Sequence, residues 1–282
     1  MKKILGAGAA LALMAGTAFA ADVPVKAYYK APPPVAPVWD VAVGAWVASD
    51  YNFRGVSQSN RHASAGAYFE LQLNTGIGQV YAGVAGNAIN LNTGTEMDFY
   101  AGVRNTWGKF SLDVGYWYYW YPKEQPAFDT DFWEVYVKAS YAVTDAFTLG
   151  ASVFYTPDLL HLGHVAGSDV GGLYVEANAK YVLPFSSPTS YGPLGSYVSG
   201  AVGYWDIDNP NNFFGGNVSY VYWNAGIAFT LNALTLDLRY HDTDLSPTEC
   251  VAFTGFAAAN RWCSGTFVAK LSFDTLLSKI KN

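Results

Sequence analysis

The sequence predicts an all-β fold, a transmembrane antiparallel up-and-down β-barrel of about twelve strands. Charged residues make up only 13% of the 282 residues, and aromatic residues reach 17%, whereas about 25% of a soluble domain is charged. Mean hydropathy is only +0.10, and past the N-terminus no apolar run of about 20 residues could form a transmembrane helix. From Asp40 onwards, polar and apolar residues alternate. In a barrel only every second side chain faces lipid, so the average hydropathy stays near zero.

The first 20 residues have the pattern of a secretory signal peptide. Lys2 and Lys3 precede an apolar segment at 4–14, and the small-residue site 18–20 has the sequence Ala-Phe-Ala. We therefore expect export and cleavage before Ala21, because the apolar segment is too short for a membrane anchor. An exported barrel belongs in the bacterial outer membrane.

Residues 21–38 are proline-rich, with Pro32, Pro33 and Pro34 in a row. This composition predicts an extended periplasmic tether, which is too short to plug a barrel. We assign residues 39–274 to the barrel and residues 275–282 to a C-terminal tail.

The period-two pattern divides the barrel into twelve predicted strands. They are 40–49, 66–76, 79–88, 96–107, 109–121, 131–143, 147–156, 171–183, 196–206, 219–231, 234–244 and 265–274. The connections after odd-numbered strands are long and polar, and most connections after even-numbered strands are tight turns. This asymmetry is typical of outer-membrane barrels and predicts that both termini lie on the periplasmic side. The connection 184–195 is an exception, because it would be a long periplasmic turn.

Aromatic residues concentrate at the predicted strand ends and indicate two interfacial girdles. The expected periplasmic girdle is Trp39, Trp107, Phe110, Phe147, Phe185 and Phe273. The expected outer girdle is Trp120, Tyr121, Trp133, Tyr155, Trp205, Trp223, Tyr240 and Trp262.

The inward positions supply the candidate pore-lining residues. They are Glu70, Asp98, Arg104, Asp113, Glu134, Lys138, Glu176, Lys180, Asn224, Asp237, Arg239 and Lys270. Six acids and five bases predict ion pairs between strands that border a thin water column. Alternatively, the pairs fill the interior and lock a barrel without a pore. Bulky inward side chains would narrow any lumen; these are Trp46, Trp117, Tyr119 and Tyr222.

Two cysteines, Cys250 and Cys263, lie in the last long loop. In an oxidising compartment they are expected to form a disulfide, which would stabilise the loop by roughly 3 kcal/mol through chain entropy. Two unpaired thiols are the alternative, and a metal site is less favoured because no histidine lies between them.

Several collinear segments carry a resemblance to a known family. SDYNFRGVSQS at 49–59 and EMDFYAG at 96–102 are followed by DVGY and YYWYP within 113–122. Further matches lie at 133–136, 155–158 and 236–245. Together they resemble the TorF family of porins of Gram-negative bacteria, over nearly all of residues 40–273. The resemblance implies a porin-like barrel and no particular solute. The sequence departs from the family at its end, where Phe273 is followed by a tail.

The expected function is passive diffusion of small hydrophilic solutes through a narrow lumen, with outer-membrane lipid around the barrel. The alternative is a structural or adhesive barrel whose long loops bind a partner. An outer-membrane hydrolase is a weaker possibility, suggested by His62 and Ser64, and we do not expect an enzyme. No cofactor or metal site is expected, although His161 and His164 lie near Asp158 and Asp169.

The charge balance argues against nucleic-acid binding. Removing Lys2 and Lys3 from 16 basic residues leaves 14 against 22 acidic residues, a formal charge of −8, with no basic cluster. The oligomeric state stays open.

Overall fold

The computed structural model describes residues 38–90, 93–124, 129–184 and 187–280. Twelve long strands dominate this part of the chain and confirm the predicted number. They are β1 Trp39–Ala48, β2 Ser64–Thr75, β3 Gly78–Ala88, β4 Thr95–Trp107, β5 Phe110–Trp120, β6 Phe132–Ala142, β7 Phe147–Thr156, β8 Gly172–Val182, β9 Gly192–Ile207, β10 Tyr220–Leu231, β11 Leu234–Thr243 and β12 Thr266–Leu276. The predicted signal peptide, most of the tether and Phe185 lie outside the described residues.

The strands form one closed antiparallel barrel. Each strand pairs with the next along the chain, and β1 also pairs with β12, where Ala42 lies opposite Leu276 and Ala48 opposite Lys270. Closure leaves no unpaired edge among these twelve long strands, so each has hydrogen-bonding partners on both sides.

The two ends of the barrel differ as predicted. Most connections at one end, here called the short-turn end, have two to four residues. Strand β1 begins at this end and strand β12 finishes there. The connections at the opposite, long-loop end are longer. The exceptional connection after β8 contains a small hairpin, in which Ser187–Thr189 pairs with the start of β9. This pairing explains the excess length of the connection.

Helices are short and lie mainly outside the barrel wall. They are α1 Gly163–Ala166, α2 Pro247–Thr254 and α3 Leu277–Ile280. None of the helices in the described ranges is long and apolar enough to cross a membrane. The predicted boundary at residue 274 is wrong by two residues, because β12 continues to Leu276 and α3 follows directly. The Ser278 backbone N–H donates to Asp40 Oδ1 at 3.1 Å, which holds α3 against β1.

Apolar side chains cover the outside of the barrel. In β5, Val114, Tyr116 and Trp120 are exposed, whereas Asp113 and Trp117 are buried inside. The same alternation runs around the wall, and a belt of exposed Leu, Val and aromatic residues results. So large an apolar surface is unfavourable in water and suits hydrocarbon.

Two residues assigned to the outer aromatic girdle lie inside instead. Trp205 and Trp262 are only 3% and 5% exposed. Tyr121, a third member of that prediction, donates its hydroxyl at 3.0 Å to the inward-facing Glu96. Trp205 faces inward because it alternates with the exposed Tyr204 along β9. Tyr121 and Trp262 belong to long loops that fold inward. Trp120, Trp133, Tyr155 and Trp223 lie on the outer surface, as expected.

Candidate functional site

The first connection, loop 1 (residues 49–63), folds into the barrel. It contains a small hairpin of Asn52–Phe53 and Val56–Ser57, and its turn places Arg54 and Gly55 at φ values of 49° and 87°. Glycine adopts this left-handed conformation readily, and Arg54 needs compensating contacts to do so. Those contacts are made inside the barrel, where Arg54 is 4% exposed.

Arg54 forms a bidentate ion pair with Glu134 of β6. The two N–H···O distances are 2.9 and 2.8 Å, and the Tyr119 hydroxyl donates to the same carboxylate at 3.0 Å. Four rings surround the guanidinium with its carbon 4.3–4.8 Å from their centroids; they belong to Phe53, Phe154, Tyr174 and Trp205. We call Arg54, Glu134 and these four rings the Arg54 cluster. It fills the β6–β9 side of the interior at the long-loop end.

A second charged group lies nearer the short-turn end, on β2 to β6. Arg104 Nη2 lies 2.5 Å from Glu70 Oε1, and its Nε donates to Gln79 at 2.7 Å. Asp113 lies directly opposite Arg104 on one neighbouring strand and opposite Lys138 on the other. Acids and bases therefore alternate across three adjacent strands, which lowers the cost of burying them.

A third group lies on β10 to β12. Arg239 pairs with Asp237, with Nη2 and Oδ2 2.9 Å apart, and also donates to Asn224 and to Ser199. Lys270 lies opposite Asp237, and its Nζ is 4.8 Å from the Trp46 ring centroid.

Glu176 and Lys180 project inward from β8 as a fourth, looser group. The Tyr174 hydroxyl and the Asn178 amide donate to Glu176 at 2.7 and 3.3 Å. Lys180 Nζ lies 3.9 Å from the Tyr197 ring centroid. Neither side chain pairs with an opposite charge at salt-bridge distance among the described residues.

Inward tyrosines lie flat along the wall because glycines on the neighbouring strand leave room for them. Tyr136 lies over Gly115, and Tyr174 lies over Gly203; a Cβ atom at either glycine would collide with the ring. The rings therefore cover the inner wall instead of projecting across the lumen.

A cavity of about 120 Å³ lies beside the Arg54 cluster. Strands β1 to β5, β11 and β12 and the Asp50–Phe53 part of loop 1 enclose it, and Asp98, Arg239 and Lys270 are among its charged lining residues. At the long-loop end the Arg54 cluster thus occupies the β6–β9 side of the interior, and the cavity lies on the side where β1 meets β12.

The last long connection, loop 6 (residues 244–265), covers the long-loop end. The predicted Cys250–Cys263 disulfide is confirmed, with the Cα atoms 5.8 Å apart. Phe253 of α2 packs on Trp205 and Tyr220 with ring centroids 5.9 and 5.7 Å apart. Loop 6 therefore closes over the Arg54 cluster.

Loop 6 is also joined to loop 1 by hydrogen bonds from Arg61 to Ser264 and Gly265 and by two that involve Trp262. The Ser57 N–H donates to the Trp262 carbonyl at 2.9 Å. The Trp262 ring N–H donates to the Asn60 side chain at 2.7 Å.

A capping box begins α2, formed by Ser246 and Glu249. Hydrogen bonds from the side chain and the backbone N–H of Ser246 lower the pKa of Glu249 from its ordinary value of 4.5. The negative charge at the helix N-terminus is favourable.

All twelve predicted pore-lining residues have buried or half-buried side chains on the inner face. The structure brings Glu70, Arg104, Asp113 and Lys138 together, and separately Asn224, Asp237, Arg239 and Lys270. It places Glu134 with Arg54, which is absent from the predicted residues because those come from inward positions of the strands. The positive φ implied by the Asn-Phe-Arg-Gly segment was the available signal for a turn.

The loop residues considered for metal or hydrolytic chemistry have other contacts. Asp158 Oδ1 accepts from the Gly163 N–H at 2.9 Å, and His161 Nδ1 lies 3.3 Å from Asp129 Oδ2. The Ser64 hydroxyl donates to the Ala88 carbonyl at 2.6 Å, while His62 is exposed. Ser64 is the first residue of β2 and bonds to β3, whereas the contacts of Asp158 and His161 lie within or between loops.

Solved structures similar to this chain are barrels with low sequence identity. The NanC porin is 10% identical with a TM-score of 0.49, covering 84% of this chain and 98% of its own. The KdgM porin is 8% identical with a TM-score of 0.44, covering 82% and 98%. An outer-membrane channel from Pseudomonas putida F1 is 10% identical with a TM-score of 0.42, covering 86% and 97%.

Sequence comparisons define the family. No curated protein matches the sequence significantly. One family model matches residues 34–273, which is most of the chain, and its description is a bacterial protein of unknown function, Gcw_chp. The barrel implied by the resemblance to the TorF family is therefore supported, but the family model that matches has a different name. The chain belongs to the Gcw_chp family of bacterial proteins.

Proposed function

We propose that this protein is an outer-membrane porin that lets small hydrophilic solutes diffuse passively through a narrow lumen. One observation carries the proposal: apolar side chains face outward around the barrel, while charged side chains and a cavity lie inside. Charges such as Glu176 and Lys180, with no ion pair at salt-bridge distance among the described residues, favour contact with water inside the barrel.

The strand number supports a narrow passage. Eight strands leave an interior that side chains can fill, and sixteen or more leave a wide channel. Twelve strands lie between these limits, and the Arg54 cluster occupies part of the interior. The remaining passage follows the walls formed by β1 to β5, β11 and β12, where the predicted pore-lining residues Asp98, Asp237, Arg239 and Lys270 border the cavity.

The proposed location in the outer membrane includes removal of residues 1–20 by signal peptidase. The apolar belt supports lipid as the surrounding medium. In cell fractionation, the mature protein should appear with outer-membrane markers and should begin at Ala21. A closed barrel should also migrate differently on gels before and after boiling.

Single-channel recording in planar lipid bilayers tests the transport function. Refolded protein should produce stepwise currents of small amplitude in potassium chloride, and boiled protein should produce none. Absence of current steps from correctly folded protein at several voltages would contradict the proposal.

A structural or adhesive barrel is the second candidate, and loop 6 is the observation in its favour. This loop is held by α2, a disulfide and contacts with loop 1. Residues 247–262 can be replaced by a short Gly/Ser linker. Loss of cell adhesion with unchanged solute uptake would favour the adhesive function. Changed solute uptake with unchanged cell adhesion would favour the porin.

A further inference from the structure

Two carboxylates occupy successive inward positions on β4 near the long-loop end. Glu96 and Asp98 are 4% and 3% exposed. The Asn87 amide of β3 bridges them, donating to Glu96 Oε1 at 3.1 Å and to Asp98 Oδ2 at 2.9 Å. Two buried negative charges this close repel each other, so the arrangement requires a compensating positive charge or a proton.

The two carboxylates differ in how completely they are hydrogen-bonded. Glu96 also accepts from the Tyr51 and Tyr121 hydroxyls, at 2.8 and 3.0 Å. Asp98 Oδ1 is buried and accepts no hydrogen bond from the described residues. The Trp117 ring N–H lies beside the Asp98 carboxylate without completing a bond of normal geometry. No described lysine or arginine forms a salt bridge with either acid.

Asp98 lines the cavity, and the charges of that lining are unbalanced. Four carboxylates border it, from Asp50, Asp98, Asp237 and Asp274, against the two cations Arg239 and Lys270. Arg239 is already paired with Asp237. The surplus of two negative charges favours a cation in this space. Trp46, Tyr51 and Trp117 also border the cavity, and aromatic faces attract cations.

We propose that this cavity is a binding site for a small organic cation whose ammonium group donates a hydrogen bond to Asp98 Oδ1. The inference rests on the proposed porin function, because a solute reaches Asp98 through a water-filled lumen. Cationic solutes should therefore pass through the lumen more readily than anionic solutes. Asp98 is the residue that distinguishes them from anions of similar size.

Tryptophan fluorescence of the refolded protein in detergent tests the site without any need for current. Methylammonium chloride should give a saturable change, and sodium acetate at the same ionic strength should give none. Tetramethylammonium, which has no N–H donor, should bind more weakly than methylammonium. Asp98→Asn should weaken methylammonium binding about tenfold or more, since a charge-assisted hydrogen bond is lost.

Asp145→Asn is the matched control, because it removes one negative charge from an exposed turn at the opposite end. Asp145→Asn should bind methylammonium with the same affinity as the unmodified protein. A response to methylammonium no greater than the response to acetate would overturn the proposal even if Asp98→Asn fails to fold. An unchanged methylammonium affinity in folded Asp98→Asn would also overturn the proposal. A proton shared by Glu96 and Asp98 would then offset the repulsion between the two carboxylates.

Bilayer recordings separate this inference from the porin function. In a methylammonium chloride gradient, the reversal potential should indicate cation preference, and Asp98→Asn should reduce it. Current without any cation preference would contradict the cation site but not the porin function. Saturable methylammonium binding in a protein that passes no current would contradict the porin function but not the cation site.

Discussion

Arg54 and Glu134 form a buried ion pair that ties the tip of loop 1 to strand β6, 80 residues later in the chain. Loop 1 joins β1 to β2, so the pair reaches across the barrel interior. The rings of Phe154, Tyr174 and Trp205 on β7, β8 and β9 enclose it. The contact fixes the position of loop 1 inside the barrel, and in the proposed porin it would set the width of the passage.

Arg54→Met should enlarge the passage and destabilise the barrel. The change leaves the Glu134 carboxylate buried without its partner, which costs about 3–5 kcal/mol of unfolding free energy. Loop 1 loses its attachment, so single-channel conductance should rise. Combining Arg54→Met with Glu134→Leu should recover part of the stability while conductance stays high. Equal conductance in all these variants would show that loop 1 does not limit the passage.

Removing the disulfide should loosen loop 6 without unfolding the barrel. The double substitution Cys250→Ser, Cys263→Ser should cost about 3 kcal/mol of local stability in the chain-entropy model. Arg261 lies within the disulfide-closed segment, so tryptic cleavage after it should be faster in the double variant. Reduction of the unmodified protein should have the same effect. Cleavage at an unchanged rate would mean that packing alone holds the loop.

Gly115→Ala should narrow the lumen. The added Cβ would collide with the Tyr136 ring and with the Ala101 carbonyl oxygen, so the ring must turn away from the wall and the backbone must shift. We expect lower conductance and a loss of about 1–3 kcal/mol of stability, typical of overpacking. Gly76→Ala is the matched control because its Cβ would meet no atom within 4 Å. The two variants should differ clearly in conductance, and indistinguishable currents would disprove the role of the glycine.

Glu249 should make helix α2 sensitive to acid. Its pKa is lowered in the folded loop by hydrogen bonds from Ser246. A group with a depressed folded pKa contributes stability that is present above its unfolded pKa and lost as pH falls through the folded value. After correction for intrinsic rates, amide hydrogen exchange in α2 should therefore accelerate below about pH 4.5. Glu249→Gln should abolish this acceleration, and an equally steep acid response in that variant would contradict the assignment.

The sequence was sufficient to predict the barrel, because alternation along a strand is a local signal. All twelve strands were predicted with ends correct to a few residues, except that β9 begins at Gly192 instead of 196. Three of the four extra residues, Gly192 to Leu194, pair with the short strand at Ser187–Thr189. No periodicity marks this extension, since Pro188 and Pro193 interrupt the pattern.

The filling of the interior was less predictable, because it depends on contacts between distant segments. Trp205 was assigned to the membrane interface since it is aromatic and near a strand end. Its burial depends on Phe53 and Arg54 of loop 1 and on Phe253 of loop 6. Parity gives the face of a strand residue, but no local pattern shows which loop covers it. The proposed site at Asp98 has the same character, because whether Asp98 Oδ1 has a hydrogen-bond partner depends on where Asn87 and Trp117 point.

The seam between β1 and β12 has a consequence for assembly. Trp46 lies opposite Ser272 and Ala48 opposite Lys270, and all four border the cavity. These strands lie at opposite ends of the barrel sequence, so their junction forms only after both have been synthesised. A partly assembled sheet therefore lacks a complete wall around the cavity. The pairing of β1 with β12 both closes the barrel and completes the cavity.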